Sequence, residues 1–567
     1  MSLLNAHHGR SALRGIALLL PLAALLGGPR AAADDDVTVL EPVFVEASTG
    51  DPWSYFTVPG FEVISHCPED FNLTYARALR RATAARLAVL PEGFWGDMPT
   101  PMKIVLYDRE PARGGGFLRG NPIDLAWISG DGASVGSGTV QHSYPVTVGD
   151  GDTYINCGNY WSVQTNSENF SVDPDSDIRL ENRMPRLPGW FIAGMEGQFG
   201  LYPERIIQAS AFSSAVVLES ATWVSTEETL AILGEAKARK KDAKGYRPKE
   251  MLPLGELFRG GTAARRELWN SEASLLVRWG LYRSGKRQAF LDFVSNAARE
   301  PASEAMFRKF LGMGYAEAEQ RLGDYLPEAV SGPIRVPMAE PPEREPAIRE
   351  ATSTEVARII GDWGRLEGRT LGMADLEYKG ECLDQADKLF ERIRLRRTSD
   401  PLFLAAFGLY EIQAGDSVRA REALETATAA GVLRPRAYVE LANLRLDEGL
   451  PSVQHGIGDL EPAEFAAIVG LLTTARVQMP SLLATYDVFA RALEHAPSRP
   501  TLEDLRPLEE ALELYPQNTA LAYKVANLCR EEGYAERAAL IVERAASFSD
   551  TDEGRTLLTK FQARDAR

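Results

Sequence analysis

The sequence predicts an α+β fold in which a small sheet with helices precedes an all-helical solenoid. Two segments, "VPGFEVISHC" and "TPMKIVLYDRE", are rich in β-branched and aromatic residues and are bounded by Pro, Gly and Asp, as strands usually are. From about residue 188 the apolar residues recur at helical spacing instead. Beyond residue 350 the helical pattern repeats with a fixed period. The 567 residues are enough for two or three domains.

The first 33 residues predict a secretory signal peptide. Arg10 and Arg14 precede an apolar run at residues 15–26, and Ala31 and Ala33 follow at the spacing of a cleavage site. The run is too short to span a bilayer, and no later segment approaches the roughly 20 apolar residues that a transmembrane helix needs. We therefore expect cleavage near Ala33, a periplasmic or secreted protein, and no membrane span.

The charge of the chain narrows the classes of partner. The formal net charge is −17, and it becomes −20 without residues 1–33, which contain three arginines and no acidic residue. A large negative charge opposes binding to polyanions. We expect no nucleic-acid partner and no general attraction to anionic membrane surfaces.

Proline content predicts where the chain divides. Residues 34–330 are predicted to form one α+β domain, with a helix at residues 73–90 between the two strand segments. The segment at residues 331–350, "SGPIRVPMAEPPEREPAIRE", contains five prolines. These exclude a regular helix and favour an extended, semi-rigid connector. We therefore expect a linker at residues 331–350 and a helical domain at residues 351–567.

Small residues recur at a fixed interval in the helical domain. Ala374, Gly408 and Ala442 lie 34 residues apart, which is the period of helix-turn-helix solenoid repeats. Within one unit, Gly408 and Ala420 are expected where two antiparallel helices approach closely. A further copy begins around Ala526, out of phase with the others because of an insertion. The same interval separates two more pairs, Ala386 with Ala420 and Phe390 with Leu424.

The repeated unit suggests a known family. The segment "FGLYEIQAGDSVRAREALETATAAGVLRP" resembles the tetratricopeptide repeat. The resemblance implies a solenoid that binds a protein or peptide along its concave surface. A generic helical bundle is the alternative, although it does not explain the common interval of 34 residues.

Three helical segments follow one another in the first domain: "LPGWFIAGMEGQFG", "ELWNSEASLLVRWGL" and "AMFRKFLGMGYAEAEQRLGDYL". Their order and spacing resemble the gluzincin metallopeptidases, the thermolysin-like zinc enzymes, in a form common in secreted bacterial proteins. In this resemblance Trp190 and Gly194 correspond to the family's Trp and Gly. Helix Trp190 to Phe199 is expected to pack the domain.

The zinc ligands of that family are missing from the sequence. The family binds zinc through His-Glu-x-x-His and a Glu on the following motif helix. Alignment on Trp190 and Gly194 places Ala193 where this Glu should stand, and alanine cannot coordinate zinc. The expected position of the two histidines, within residues 165–181, contains none. We therefore expect a pseudopeptidase with no catalytic residue, no metal and no cofactor.

The cysteines leave one alternative open. Cys67 and Cys157 could form a disulfide bridge in an oxidising compartment, or both could be free thiols, because the sequence does not give their separation. Cys382 and Cys529 lie in helical patterns and are expected to be small core residues.

Three functions are consistent with these features. The first is a non-catalytic scaffolding protein of the cell envelope that binds a protein or peptide through its solenoid. The second is a metallopeptidase-like hydrolase with rearranged ligands. The third is an assembly factor that holds an extended chain in the former substrate cleft. The first agrees best with the missing ligands, and the sequence does not predict the oligomeric state.

Overall fold

The computed structural model describes most of the chain beyond residue 51. The described residues are 52–94 without 60, 67, 92 and 93; 102–106; 187–198; 215–218 and 221; 251–339 without 261–264; 345–371; 376–450; 460–478; 482–548 without 517; and 556 and 561. They all belong to one compact unit, Asp51–Arg567.

A small mixed sheet opens the described part. Strands β1 (Ser54–Val58) and β2 (Phe61–Ser65) form an antiparallel pair, helix α1 (Glu69–Val89) follows, and β3 (Met102–Leu106) then pairs with β2 in parallel. These elements confirm the two strands and the helix predicted from the sequence. The sheet order is β3-β2-β1-β6, where β6 is Arg349–Glu350.

A helical bundle occupies the next part of the chain. Its helices are α2 (Gly189–Glu196), α3 (Leu254–Leu257), α4 (Arg266–Tyr282), α5 (Arg287–Ala297), α6 (Glu304–Leu311) and α7 (Tyr315–Ala329). Strand β4 (Ala215–Leu218) pairs with β5 (Ile334–Pro337) in a second, two-stranded sheet beside the bundle. One apolar core includes α2, α4 and most of α5 to α7.

The remaining helices form what we call the helical stack. Within the described residues it contains five helix pairs: α8 (Ser353–Leu371) and α9 (Leu376–Arg394), α10 (Pro401–Ala414) and α11 (Ser417–Ala429), α12 (Pro435–Gly449) and α13 (Pro462–Val477), α14 (Leu483–Glu494) and α15 (Leu502–Leu514), and α16 (Thr519–Glu531) and α17 (Ala535–Phe548). Each first helix contacts the first helix of the next pair. The molecule is therefore mostly helical and of the α+β class, as predicted.

In its described residues, 331–339 and 345–350, the proline-rich segment forms two strands, and both are paired. β5 lies antiparallel to β4, and β6 lies antiparallel to β1. The segment thus contributes one strand to each sheet.

The first sheet and the start of the helical stack share one apolar core. Phe56 and Val63 of the sheet belong to the same buried cluster as Phe390 and Phe403 of the stack. A buried ion pair crosses this contact, because Arg358 donates to both carboxylate oxygens of Glu62, one of them at 2.9 Å. The sheet is consequently packed against α8, α9 and α10.

Candidate functional site

Helix α2 is apolar on every described face. Pro188 precedes it with φ of −58°, which suits a helix start. Trp190, Phe191, Ile192 and Met195 are all buried. A helix that is apolar all round belongs inside a protein, so α2 is a core element of the bundle.

Trp190 lies in an aromatic cluster. Its ring centroid is 5.0 Å from that of Phe258, 5.9 Å from that of Phe293 and 6.2 Å from that of Phe290. Aromatic pairs at such distances contribute about 0.5 to 1.5 kcal/mol each beyond their buried area. The tryptophan of the motif therefore packs the core, as the sequence predicts.

Gly194 marks the closest approach of α2 to α4. A Cβ atom on Gly194 would lie 2.5 Å from the carbonyl oxygen of Ala273 and 2.4 Å from Cγ2 of Val277. Both distances are shorter than van der Waals contact. Only glycine fits this crossing without a shift of the α4 backbone.

A buried amide fastens the same crossing. The Gln198 Nε2 atom donates to the carbonyl oxygens of Gly194 and Ser274, both at 2.9 Å, and to Ser274 Oγ at 3.0 Å. Gln198 is itself buried. Because buried amides need partners, this side chain contributes to the position of α2 on α4.

The structure describes only part of the segments that correspond to the zinc-binding helices of the gluzincins. Ala193 is half-buried and packs against the bundle core. Phe199, the side chain of Glu196 and residues 165–181 lie outside the described residues. In the part of the chain that is described, no three His, Cys, Asp or Glu side chains are grouped so that they could hold a metal ion.

Two buried charges on α4 were not predicted from the sequence. Glu272 accepts a hydrogen bond from the Leu252 backbone N–H at 2.7 Å, and Arg278 donates to the Gly332 carbonyl oxygen at 2.7 Å. Both side chains are fully buried. Their position within the apolar run of α4 is the signal that could have identified them. They connect α4 to the backbone of neighbouring loops.

The small residues predicted for the helical stack are buried where they are described. Ala420, Ala442 and Ala526 are completely buried. A Cβ atom on Gly408 would lie 2.7 Å from Cγ of Leu424 on the partner helix, so Gly408 marks a close helix contact. Ala374 lies outside the described residues.

The first pair makes the matching contact with a different glycine. A Cβ atom on Gly361 of α8 would lie 2.7 Å from Cζ of Phe390. Phe390 and Leu424 are one of the predicted pairs that are 34 residues apart. The interval therefore holds for the second helices of these two pairs, whereas Gly361 and Gly408 are further apart because α8 and α9 are longer than α10 and α11.

The described cysteine and histidines make packing contacts and backbone hydrogen bonds. Cys529 is a buried free thiol, and burial raises its pKa to about 11, so it is a poor nucleophile at neutral pH. The His66 ring packs edge-on against the Trp53 ring, and their centroids are 3.7 Å apart. The His495 backbone carbonyl oxygen accepts a hydrogen bond from the Leu460 N–H. Cys67, Cys157 and the Cys382 side chain lie outside the described residues, so the predicted bridge stays a prediction.

Two adjacent cavities lie at the end of the helical stack. One of about 230 Å³ is bounded by residues of α15, α16 and α17. The other, of about 910 Å³, extends from there to α5 and α6 of the bundle. Both are bordered by Glu513 and Arg544, and their apolar lining includes Met306, Phe310, Leu512 and Leu540. Together they form what we call the terminal groove.

Comparison with known proteins gives no identification. No family model matches the sequence, and no curated protein is detectably similar to it. No helix in the described part of the chain has both the length and the apolar character needed to cross a membrane.

Proposed function

We propose that this protein is a non-catalytic scaffold that binds a protein or peptide through its helical stack. The observation that carries the proposal is the regular stacking of five helix pairs within the described residues, each first helix against the next. Stacked helix pairs of this kind present long continuous surfaces, and protein binding is their usual role. We assign the stack to the tetratricopeptide type on the resemblance of residues 407–435.

The properties of α2 support the non-catalytic part of the proposal. Trp190 and Gly194 serve the packing of the bundle, and Ala193 has no atom that could coordinate zinc. We therefore regard the bundle with its sheet as a degenerate gluzincin-like domain. The leader-like residues 1–33 support a location in the cell envelope.

The terminal groove supports a peptide as the partner. Its lining combines apolar side chains with acidic and basic ones, including Glu300, Lys309 and Arg544. A peptide can place apolar side chains against Met306 and Phe310 and pair its charged groups with these ionisable side chains. The volume of about 910 Å³ is in the range of ligand pockets in general.

Crosslinking in the native cell tests the proposal. The protein is crosslinked, purified under denaturing conditions and digested, and intermolecular crosslinks are mapped by mass spectrometry. The proposal predicts reproducible crosslinks to one partner that concentrate on residues 353–548. Crosslinks confined to the bundle, or a chain that is never joined to another protein, would contradict it.

A further inference from the structure

One edge of the helical stack exposes aliphatic side chains beside arginines. This edge lies where the second helix of a pair ends and the first helix of the next pair begins. Of the four such connections we take the first three, residues 391–402, 430–434 and 477–478, and call them the loop edge.

The topology places these three segments on the same side of the stack. All connections except the one between α12 and α13 are too short to return along a helix of 13 or more residues, so the helices they join run in opposite directions. The chain also reverses between α12 and α13, because a Cβ atom on Gly449 would lie 2.9 Å from Leu460 Cδ2. A hydrogen bond of 3.1 Å from Gln478 Nε2 to the Val432 carbonyl oxygen joins the second segment to the third. At the opposite edge, the Leu460 N–H donates to the His495 carbonyl oxygen. The second and third segments of the loop edge are thus in direct contact, and the first lies on the same side of the stack.

Four aliphatic side chains project from the loop edge. Their exposed fractions are 53% for Leu395, 38% for Leu402, 42% for Leu433 and 70% for Val477. Half of the eight large exposed apolar residues of the described chain therefore lie on the loop edge. They sit at the ends of helices and in loops, so they form projecting tips and do not line a groove.

The loop edge also has an excess of positive charge. Four arginines of the α9 end are exposed: Arg392, Arg394, Arg396 and Arg397. Both acidic residues of the loop edge are occupied locally. Glu391 accepts from Arg394 at 2.8 Å and also pairs with Arg419 outside the loop edge, and Asp400 caps α10 by accepting from the Leu402 and Phe403 N–H groups. The excess charge is therefore carried by Arg392, Arg396 and Arg397, of which Arg396 also donates to the Ser353 hydroxyl at 2.9 Å.

The backbone at Arg397 has an uncommon conformation. Its φ is 53°, and it is the one residue other than glycine with a positive φ in the described part of the chain. Such a conformation is disfavoured for a side chain of this size, and cases of this kind cluster at functional sites. It turns the chain sharply between the exposed arginines and α10.

We propose that the loop edge docks on an anionic phospholipid surface. Guanidinium groups attract the phosphate headgroups, and the leucine and valine tips enter the boundary between headgroups and acyl chains. Projecting tips on one edge match a flat surface, whereas a peptide would need a groove. The net charge of −20 of residues 34–567 does not prevent this contact, because charges further away than about 8 Å are screened at physiological ionic strength.

Vesicle sedimentation tests the proposal. Residues 34–567 are used, because they retain the whole compact unit from Asp51 and lack the apolar run at residues 15–26. The protein is mixed with large unilamellar vesicles of phosphatidylglycerol and phosphatidylcholine, or of phosphatidylcholine alone. We expect binding to the anionic vesicles that weakens as salt is added, and little binding to the neutral ones.

Two variants of the loop edge sharpen the test. Each basic residue near an anionic surface contributes roughly fivefold to affinity, so the double variant Arg396→Gln and Arg397→Gln should bind about 25-fold more weakly. Leu395→Asp with Leu433→Asp should weaken binding as well, by removing the apolar tips. Unchanged melting temperatures establish that both variants are folded.

Matched variants elsewhere provide the controls. Val418 and Leu502 are 72% and 53% exposed, and each lies at the first turn of a helix that starts on the opposite edge of the stack. Changing both to Asp should leave vesicle binding within twofold of the parent chain. Equal loss in loop-edge and control variants would overturn the proposal. So would binding of an acidic polypeptide such as polyglutamate in place of anionic vesicles.

Discussion

Helices α2 and α8 contact their neighbours through different kinds of buried side chain. α2, which resembles a zinc-binding helix, packs through aromatic and aliphatic side chains and through Gly194. α8, the first helix of the stack, buries three charged side chains, Arg358, Asp362 and Arg365. Within the described residues, the buried charge of these two helices thus lies on α8, where the sheet and the stack meet, and not on α2.

The charges of α8 are neutralised by precise partners. Arg358 pairs with Glu62 of the sheet, and Asp362 accepts from Arg365 at 2.7 Å and from Arg434 at 2.9 Å. A buried charge is tolerated when it is paired and hydrogen-bonded. The described side chains of α2 are thus held mainly by apolar packing, whereas α8 adds buried ion pairs to its apolar contacts.

The largest effect is expected from breaking the ion pair between the sheet and α8. Arg358→Met leaves Glu62 buried without its cation, so we expect a loss of about 3 to 5 kcal/mol in unfolding free energy. Urea unfolding followed by circular dichroism measures it. Arg506→Met removes a 63% exposed arginine and should change stability by less than about 0.5 kcal/mol.

A double variant distinguishes the cost of the unpaired charge from the cost of lost packing contacts. Glu62→Leu in the Arg358→Met background replaces both charges with apolar groups, and much of the lost stability should return. A double variant as unstable as Arg358→Met alone would contradict the importance that we give to the unpaired charge.

The next effect concerns the crossing of α2 and α4. In Gly194→Ala the new methyl group meets the Ala273 carbonyl oxygen, a backbone atom that cannot rotate away, so we expect a loss of about 2 to 3 kcal/mol. The same urea titration measures it. The control is Gly470→Ala in α13, where nothing lies within 4 Å and the change should stabilise by up to about 1 kcal/mol.

A smaller effect is expected at Gly408, which marks a close helix contact in the stack as Gly194 does in the bundle. In Gly408→Ala the methyl group meets the Leu424 side chain, which can change rotamer, so we expect a loss of about 1 to 2 kcal/mol. Combining it with Leu424→Ala should cost less than the two single losses together, because the smaller side chain makes room. If the two losses in unfolding free energy simply added, Gly408 and Leu424 would not share a contact.

The smallest effect is a pH dependence of the unfolding free energy, which arises from Glu355 between β6 and α8. Burial alone would raise the pKa of Glu355, but hydrogen bonds from Arg349 and from Thr352 lower it to about 2. A lowered pKa stabilises the fold above the ordinary value of 4.5, and this contribution disappears as the pH falls toward 2.

Comparison with Glu355→Gln isolates this contribution. Arg349 is 48% exposed and solvent weakens its attraction, so we expect the variant to be about 1 to 2 kcal/mol less stable at pH 7. The difference between the two proteins should fall by more than half at about pH 3. A difference that stays constant with pH would contradict the ionic origin of the effect.

Local patterns predicted part of this fold. Strands β2 and β3 and helix α1 followed from residue type and periodicity, because each depends on neighbouring residues. β6 was missed, since two residues gain strand geometry only by pairing with β1, almost 300 positions away. Gly361 was missed for a related reason, because the longer helices of the first pair shift it out of the interval of 34 residues.

The candidate site was predicted less completely than the fold. The packing roles of Trp190 and Gly408 followed from their motifs. The burial of Arg358 could not follow, because a charged residue in a helical pattern is usually exposed and only the tertiary partners reveal otherwise. The loop edge also depends on topology, since its segments are distant in sequence.

The central claim is that this protein binds without catalysing hydrolysis. The most direct measurement is the zinc content of residues 34–567 by elemental analysis, together with casein cleavage by the same preparation with and without added zinc. A known zinc peptidase is assayed in parallel. The account predicts far less than one zinc per chain and no cleavage under either condition. One zinc per chain, with cleavage that a chelator abolishes and zinc restores, would contradict it.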